Sequence, residues 1–233
     1  MKKACAPFSM LLAVDPSLTS SGWALFNVSS GQPCAAGVIR PPGPRHAMAL
    51  RLAELQQEVH SLFIDRQLGV GDVVVCEGPA PLVRNPSSAV KVEQVRSIFE
   101  TIARASGAVV PGRLNPRTVQ TELLGMRGRQ LPRAEVKRWA RDTVQQLFGR
   151  ALTALEIIGD TGGTAAALSQ DIVDALLIGA VAVSRVQLSL SGSQPLETAF
   201  SGYQRSNRNG VVGVRWTEAD LRNVNSSVRY RQK

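Results

Sequence analysis

The chain has 233 residues, of which 44% are hydrophobic and 19% are charged. These proportions are ordinary for a globular protein and exclude a collagen, a coiled coil and a wholly disordered chain. The length is that of one domain, or of one domain with an appendage, and it suffices to bury a core without disulfides or structural metals.

The charge balance is strongly basic. There are 27 lysines and arginines against 18 acids, which gives a net charge of +9 and an isoelectric point near 10.3. Such a balance favours an anionic partner, most often nucleic acid, and leaves open a basic protein with no polyanion partner. The three cysteines have no metal-type spacing and indicate a reducing compartment. Since no apolar run approaches the roughly 18–20 residues of a membrane span, we expect a cytoplasmic protein.

Apolar spacing predicts a mixed α/β layered domain. Short apolar or β-branched runs that end at turn residues predict strands at 11–14, 22–28, 35–39, 72–76 and 108–110. Amphipathic spacing predicts helices at 46–67, 87–106, 132–148 and 170–186. The third of these helices is expected to end at Gly149 and to turn inward Val136, Trp139, Thr143 and Leu147.

The composition changes after residue 186. Residues 187–233 are rich in Ser, Asn, Gly and Arg, with seven basic residues against three acids. We therefore expect a folded domain over 1–186 and a basic, largely disordered tail over 187–233. A short strand at 211–216 is a candidate element of the tail.

Four acidic residues stand where a folded domain could bring them together. Asp15 follows the first predicted strand and Glu77 the fourth, while Asp171 and Asp174 lie one turn apart at the start of the last helix. Unpaired buried carboxylates are costly, and no lysine or arginine lies within a turn of Asp171, so we expect a cation partner. An all-oxygen donor set suits Mg²⁺ or Mn²⁺, and two such ions would promote phosphodiester hydrolysis.

Each acid also has an ordinary explanation. Asp15 before Pro16 is typical of a turn, Glu77 of a strand end, and Asp171 of the first turn of a helix, where the helix dipole favours a negative charge. The joint arrangement of the four is what favours a catalytic site.

Several segments resemble the RuvC-type Holliday-junction resolvases. LLAVDPSLTSSGWA (11–24) is similar to the family's opening hairpin, and VCE (75–77) to its second acidic strand. RNPSSAVKVEQVR (84–96) is similar to its first long helix, and DIVDAL (171–176) to its closing motif. The resemblance implies an RNase H-like fold, a mixed sheet flanked by helices, and a homodimer that cuts four-way DNA junctions with two metal ions. It also matches the family's catalytic, metal-binding acids to Asp15, Glu77, Asp171 and Asp174.

The resemblance is incomplete at two positions, one basic and one aromatic in the family. Arg133 falls near a family lysine that contacts the scissile phosphate, but the family's other functional lysine matches Gln120. That role is left vacant or falls to Arg117. The family's base-unstacking aromatic residue after the second acid is also missing, and Leu82 is the candidate substitute.

A basic segment adjoins these motifs. Between Arg113 and Asp142 eight basic residues oppose three acids, a net charge of +5, and three of them form one helical stripe. The segment suits DNA phosphates, although such a stripe is also typical of a solvated helix face. The DNA contacts that we predict are Arg84, Arg117, Arg127, Arg129, Arg133, Lys137 and Arg141. By contrast, His46 and His60 are expected on the surface and Cys76 in the core.

The acids and this resemblance together imply a metal-dependent endodeoxyribonuclease that resolves four-way junctions by symmetric nicks, in the cytoplasm of a cell or of a phage host. No nucleotide cofactor or membrane partner is expected. One alternative is a non-catalytic architectural protein that binds junctions or duplexes on the same fold. The other is a nucleotide-binding protein, because residues 15–20 also look like the first phosphate loop of the actin/sugar-kinase ATPases, which however need two related domains.

Overall fold

The structure is a computed structural model that describes residues 8–79, 86–124, 132–159, 164–192 and 195–201. In these residues one six-stranded sheet has the order β5-β4-β1-β2-β3-β6. The strands are β1 (Met10–Asp15), β2 (Ser21–Asn27), β3 (Pro33–Ile39), β4 (Val73–Glu77), β5 (Arg113–Leu114) and β6 (Glu156–Ile158). The first three strands pair antiparallel, whereas β4 is parallel to β1, β5 to β4 and β6 to β3.

Helices cover both faces of this sheet. They are α1 (Met48–Asp65), α2 (Pro86–Ala105), α3 (Pro116–Leu124), α4 (Arg133–Leu152), α5 (Gln170–Ser191) and α6 (Leu196–Ser201). One core cluster holds α1 and α2 against one face, and the other holds α3 to α6 against the opposite face. The predicted mixed α/β domain is therefore confirmed.

The central strand β1 shows why its sequence is a continuous apolar run. Leu11 and Ala13 point into the core under α5, and Leu12 and Val14 point into the core under α1 and α2. All four are completely buried. A strand that is covered on both faces loses the alternation of apolar and polar residues, and it carries Asp15 to the edge of the core.

Helix α5 is the central helix of the domain. It is long and apolar enough to span a membrane by length and composition, but 72% of that window is buried inside the protein, as in a core helix. It continues to Ser191, beyond the predicted end at 186. The short helix α6 then buries Leu196, Ala199 and Phe200. Residues beyond 186 therefore contribute to the core, while the domain boundary at 186/187 stays a prediction. The candidate strand at 211–216 lies outside the described residues.

The inward face of α4 differs from the prediction by one residue. Its buried residues are Ala140, Val144, Phe148 and Leu152, whereas Leu147 is 44% exposed. Phe148 packs edge-on against Phe26 of β2, with ring centroids 5.6 Å apart. This aromatic contact fixes the rotation of the helix, which passes through Gly149 instead of ending there.

The smallest elements differ most from the prediction. The predicted strand at 108–110 is a single bridge between Val73 and Val109, and the strand at this edge is β5. Neither β5 nor β6 was predicted, because strands of two or three residues carry no periodicity. The nine-residue helix α3 was not predicted either. Helix α3 did have a start signal, since Asn115 precedes Pro116 and its side chain accepts from the backbone of Arg117.

Candidate active site

Asp15 and Glu77 lie side by side at the ends of two neighbouring parallel strands. Strands β1 and β4 pair in register up to Val14 and Cys76, so the next residue of each strand is one of the two acids. Their carboxyl groups lie close enough for each to change the pKa of the other. A hydrogen bond between the two would need a proton on one of them, because an ionised carboxylate can only accept.

Gly22 brings the start of α5 to the same place. It pairs with Asp15 across the β1–β2 ladder. A Cβ atom on Gly22 would lie 2.0 Å from the carbonyl oxygen of Asp171, so any residue other than glycine would clash with the helix backbone there. The missing side chain therefore allows the first turn of α5 to lie directly on the sheet. The sequence prediction did not include this role, although a glycine inside a strand is a signal of close backbone approach.

The first turns of α5 hold the other two acids. Ser169 caps the helix and its hydroxyl accepts from the backbone N–H of Ile172 at 3.4 Å. Asp171 and Asp174 are half-buried. One carboxylate oxygen of Asp174, Oδ1, accepts a hydrogen bond from Nε2 of Gln170 at 2.9 Å. Gln170 was not a predicted site residue.

The electrostatics show that these acids act on one another. Burial raises the pKa of Asp15 well above its ordinary value, and the charges of Glu77, Asp174 and Asp171 raise it further. Burial, and then the charge of Asp174, raises the pKa of Glu77 to about 7. Burial also raises the pKa of Asp174, although the hydrogen bond from Gln170 lowers it. The site is therefore a cluster of like charges with too few cations.

The chemistry of the donors fits a hard divalent cation. In the described part of the chain, no three His, Cys, Asp or Glu side chains stand close enough to enclose an ion as they are. Like charges keep carboxylates apart or protonated until a cation joins them. Among the same residues, Oε1 of Gln170 is buried without a hydrogen-bond partner, so an unused acceptor lies beside Asp174. Carboxylate and amide oxygens are donors that suit Mg²⁺ and Mn²⁺.

The predicted basic contacts divide into three groups. Arg117 and Arg133 are exposed. Lys137 and Arg141 of α4 lie near enough to Asp174 to lower the pKa of its carboxyl group. Arg141 also has a structural role that was not predicted, because its Nη1 donates to the carbonyl oxygens of Ala165 at 3.0 Å and Leu168 at 2.7 Å, just before α5. The predicted residues outside the described part of the chain are Arg84, Arg127 and Arg129, together with the candidate wedge Leu82.

The residues that were expected to be unreactive have ordinary surroundings. His46 and His60 are exposed. Cys76 is completely buried, and this burial raises the pKa of its thiol to about 12. A thiol with so high a pKa stays protonated near neutral pH and is a poor nucleophile.

Two solved structures share this architecture. The chain is similar to Thermus thermophilus RuvC in complex with a Holliday junction substrate, with a TM-score of 0.56 and 15% identity. It is likewise similar to a second structure of T. thermophilus RuvC, with a TM-score of 0.56 and 16% identity. Each likeness covers 79% of this chain and 97% of the other chain.

No protein-family model matches the chain, and no curated protein is similar to it in sequence. At these identities the likeness defines the fold. The chain has a RuvC-like α/β fold, a mixed sheet flanked by helices, as the sequence predicted.

Proposed function

We propose that this protein is a divalent-metal-dependent endodeoxyribonuclease that resolves four-way DNA junctions as a homodimer. The observation that carries the proposal is the cluster of Asp15 and Glu77, at the ends of β1 and β4, with Asp171 and Asp174, at the start of α5, in a RuvC-like fold. A structure with the same fold is bound to a Holliday junction substrate, which supports branched DNA as the ligand.

The four acids would hold two Mg²⁺ or Mn²⁺ ions. Bound there, such ions lower the pKa of a water molecule and neutralise charge on the departing oxygen. The reaction forms a bond between the water oxygen and phosphorus and breaks the bond to the 3′-oxygen, which leaves 5′-phosphate and 3′-hydroxyl ends. The chain would use no covalent intermediate, because its buried Cys76 is protonated and the sequence contains no recognisable nucleophile–base pair.

The basic residues of α4 would hold the phosphate that is cut. Lys137 and Arg141 carry positive charge close to Asp174. A phosphate between these cations and the metal ions would be held with its reacting bond near the acids. Exposed Arg117 and Arg133 would contact neighbouring phosphates, which adds affinity without sequence selectivity. A homodimer would apply the same arrangement to two strands of one junction in the cytoplasm.

Cleavage of a substrate panel tests the proposal. The panel is a four-way junction, a three-way junction, a flap and a duplex of shared sequence, each with Mg²⁺, with Mn²⁺ and with a chelator. We expect paired nicks in the four-way junction that need the metal and disappear in Asp15→Asn. Tight junction binding with no cutting in either metal would contradict the nuclease and support the architectural alternative. Nucleotide hydrolysis with no cutting would support the ATPase alternative.

A further inference from the structure

A buried arginine of α2 contacts the backbone of Glu77 in the candidate active site. Arg96 of α2 is 2% exposed. Its Nε donates a hydrogen bond of 2.6 Å to the backbone carbonyl oxygen of Glu77, the last residue of β4. The guanidinium group is thereby fixed on the main chain of an acid whose side chain faces the site.

Arg96 is itself held by a network of ion pairs. Its Nη1 donates to Glu93 on the preceding turn of α2. Arg113 of β5 lies between Glu93, at 2.8 Å, and Glu100, at 2.6 Å. Because Arg113 pairs with Cys76 in the β4–β5 ladder, this network clamps the end of β4 between α2 and β5.

Stability alone does not explain this arrangement. A buried ion pair contributes little net stability, because removing two charges from water offsets their attraction, and apolar side chains of similar size often stabilise a core as well. The charged arrangement instead orients the guanidinium group of Arg96. A guanidinium group that is held on two sides can aim one N–H at one chosen carbonyl oxygen.

We propose that Arg96 is a positioning residue, which fixes the end of β4 so that the Glu77 carboxylate stays beside Asp15 for cation binding. This inference rests on the proposed metal site. Arg96 touches neither Asp15 nor Asp174 in any hydrogen bond that the structure describes, so it acts through Glu77. Residues that orient metal ligands in this way typically contribute about 10- to 100-fold to metal affinity or activity.

The test compares three variants on the full chain. Arg96→Gln removes the charge and the Nε–H group that donates to Glu77, and Arg96→Lys keeps the charge. Glu93→Gln weakens the ion pair that holds Arg96. Arg104→Gln is the matched control, because Arg104 lies on the same helix and pairs with Glu100 but is 38% exposed and has no hydrogen bond to Glu77 among the described contacts. The readouts are Mn²⁺ affinity by calorimetry without DNA, the melting temperature, and junction cleavage against Mg²⁺ concentration.

We expect Arg96→Gln to weaken Mn²⁺ binding by about tenfold or more. Arg96→Lys and Glu93→Gln should weaken it less, and Arg104→Gln should leave it within about twofold. If Arg96→Gln does not fold, the Arg96→Lys and Glu93→Gln variants decide the matter by the same readout. An unchanged Mn²⁺ affinity in the folded variants, or an equal loss in Arg104→Gln, would overturn the inference.

The result is separable from the proposed function. A wild-type protein that binds Mn²⁺ but cuts no junction would refute the nuclease and leave the role of Arg96 testable by calorimetry. A wild-type protein that cuts junctions, with variants of unchanged Mn²⁺ affinity, would refute the role of Arg96 alone. A wild-type protein that binds no Mn²⁺ would overturn both.

Discussion

Two clusters of buried charge flank the end of β4, and their carboxylates behave in opposite ways. Glu100 is 5% exposed, and the ion pairs with Arg113 and Arg104 lower its pKa in spite of burial. Glu77 is similarly enclosed but faces other acids, and its pKa rises to about 7. The comparison teaches that burial alone does not mark a functional carboxylate. The informative feature is an enclosed acid whose pKa is raised by other acids.

The comparison also assigns different tasks to the two clusters. In the α2–β5 cluster, the acids and arginines form ion pairs with one another inside the protein; its members are Glu93, Arg96, Glu100, Arg104 and Arg113. In the Asp15 cluster, which also contains Glu77, Asp171 and Asp174, the acids lack enough cations, although Lys137 and Arg141 offset part of the charge on Asp174. A divalent cation would complete the second cluster and add nothing to the first. Substitutions in the Asp15 cluster should therefore mainly affect activity, and substitution of Glu100 should mainly affect stability, whereas Arg96 and Glu93 also support the position of Glu77.

The largest expected effect is on catalysis. Asp15→Asn should lower metal-dependent junction cutting by well over about 100-fold, because the loss of a ligand exceeds the loss of a residue that only orients a ligand. Junction binding in Ca²⁺ or without metal should persist. Asp65→Asn, at an exposed position at the end of α1, is the matched control and should cut normally. Substantial cutting by Asp15→Asn would break the comparison.

The next effect is on stability in the ion-paired cluster. Glu100→Gln should lower the free energy of unfolding by about 3 kcal/mol, because it leaves the buried Arg113 with half of its counter-charge. Denaturant unfolding of the metal-free protein measures this. If Glu100→Gln were neutral, the α2–β5 cluster would not be the satisfied cluster that the structure shows.

In the Asp15 cluster, loss of an acid should raise the free energy of unfolding of the metal-free protein, whereas Glu100→Gln lowers it. In the folded metal-free protein Glu77 keeps its proton up to about pH 7, whereas its ordinary value is 4.5. The folded state thus binds more protons than the unfolded chain in this window, so stability should fall as the pH rises from about 4.5 to 7. Burial and the neighbouring acids also raise the pKa of Asp15, so Asp15→Asn removes one of the groups that cause this dependence, and should flatten it and stabilise the metal-free protein at pH 8.

Glu100 provides the contrasting pH dependence. Its lowered pKa contributes stability that is present above its ordinary value of 4.5 and is lost as the pH falls through the folded value. Melting curves of wild type, Asp15→Asn and Glu100→Gln between pH 3 and 8 separate the two clusters, with about one curve per pH unit sufficient. A wild-type protein whose stability rises steadily from pH 5 to 8 would contradict the assignment of the raised pKa values.

The smallest effect concerns the basic face. Arg133→Gln should weaken junction binding a few-fold and lower the salt dependence of binding by about one counterion, because Arg133 is exposed and would contact phosphate alone. Arg141→Gln should also disturb the start of α5, since it loses two bonds to backbone carbonyl oxygens. Filter binding at several salt concentrations, with melting curves, distinguishes the two variants.

The sequence predicted the parts of the fold that depend on long apolar patterns. Continuous apolar runs placed β1 and β4, and amphipathic spacing placed α1 and α2. The rotation of α4 was wrong by one residue because it depends on the contact between Phe148 and Phe26, which no local pattern records. Strands as short as β5 and β6 form only because neighbouring strands present free edges to them.

The site divides in the same way. The positions of Asp15 and Glu77 at strand ends, together with the spacing of Asp171 and Asp174, suffice to predict a cluster of acids. The residues that support the cluster were not predicted, because the roles of Gly22, Arg96 and Gln170 depend on contacts between different elements or on the partner of one side-chain atom. Of these, Gly22 alone left a local signal, as a glycine within a strand.

The central claim is that the unsatisfied acids form a divalent cation site, and calorimetry of Mn²⁺ binding tests it most directly. Titrations of the metal-free protein at pH 6.5 in two buffers of different ionisation enthalpy give the affinity and the number of protons released. Because burial and the neighbouring acids raise the pKa of both Asp15 and Glu77 in the metal-free site, we predict saturable binding with release of about one proton per protein chain, and loss of both in Asp15→Asn. Binding that is absent, or that is identical in wild type and Asp15→Asn, would contradict the account.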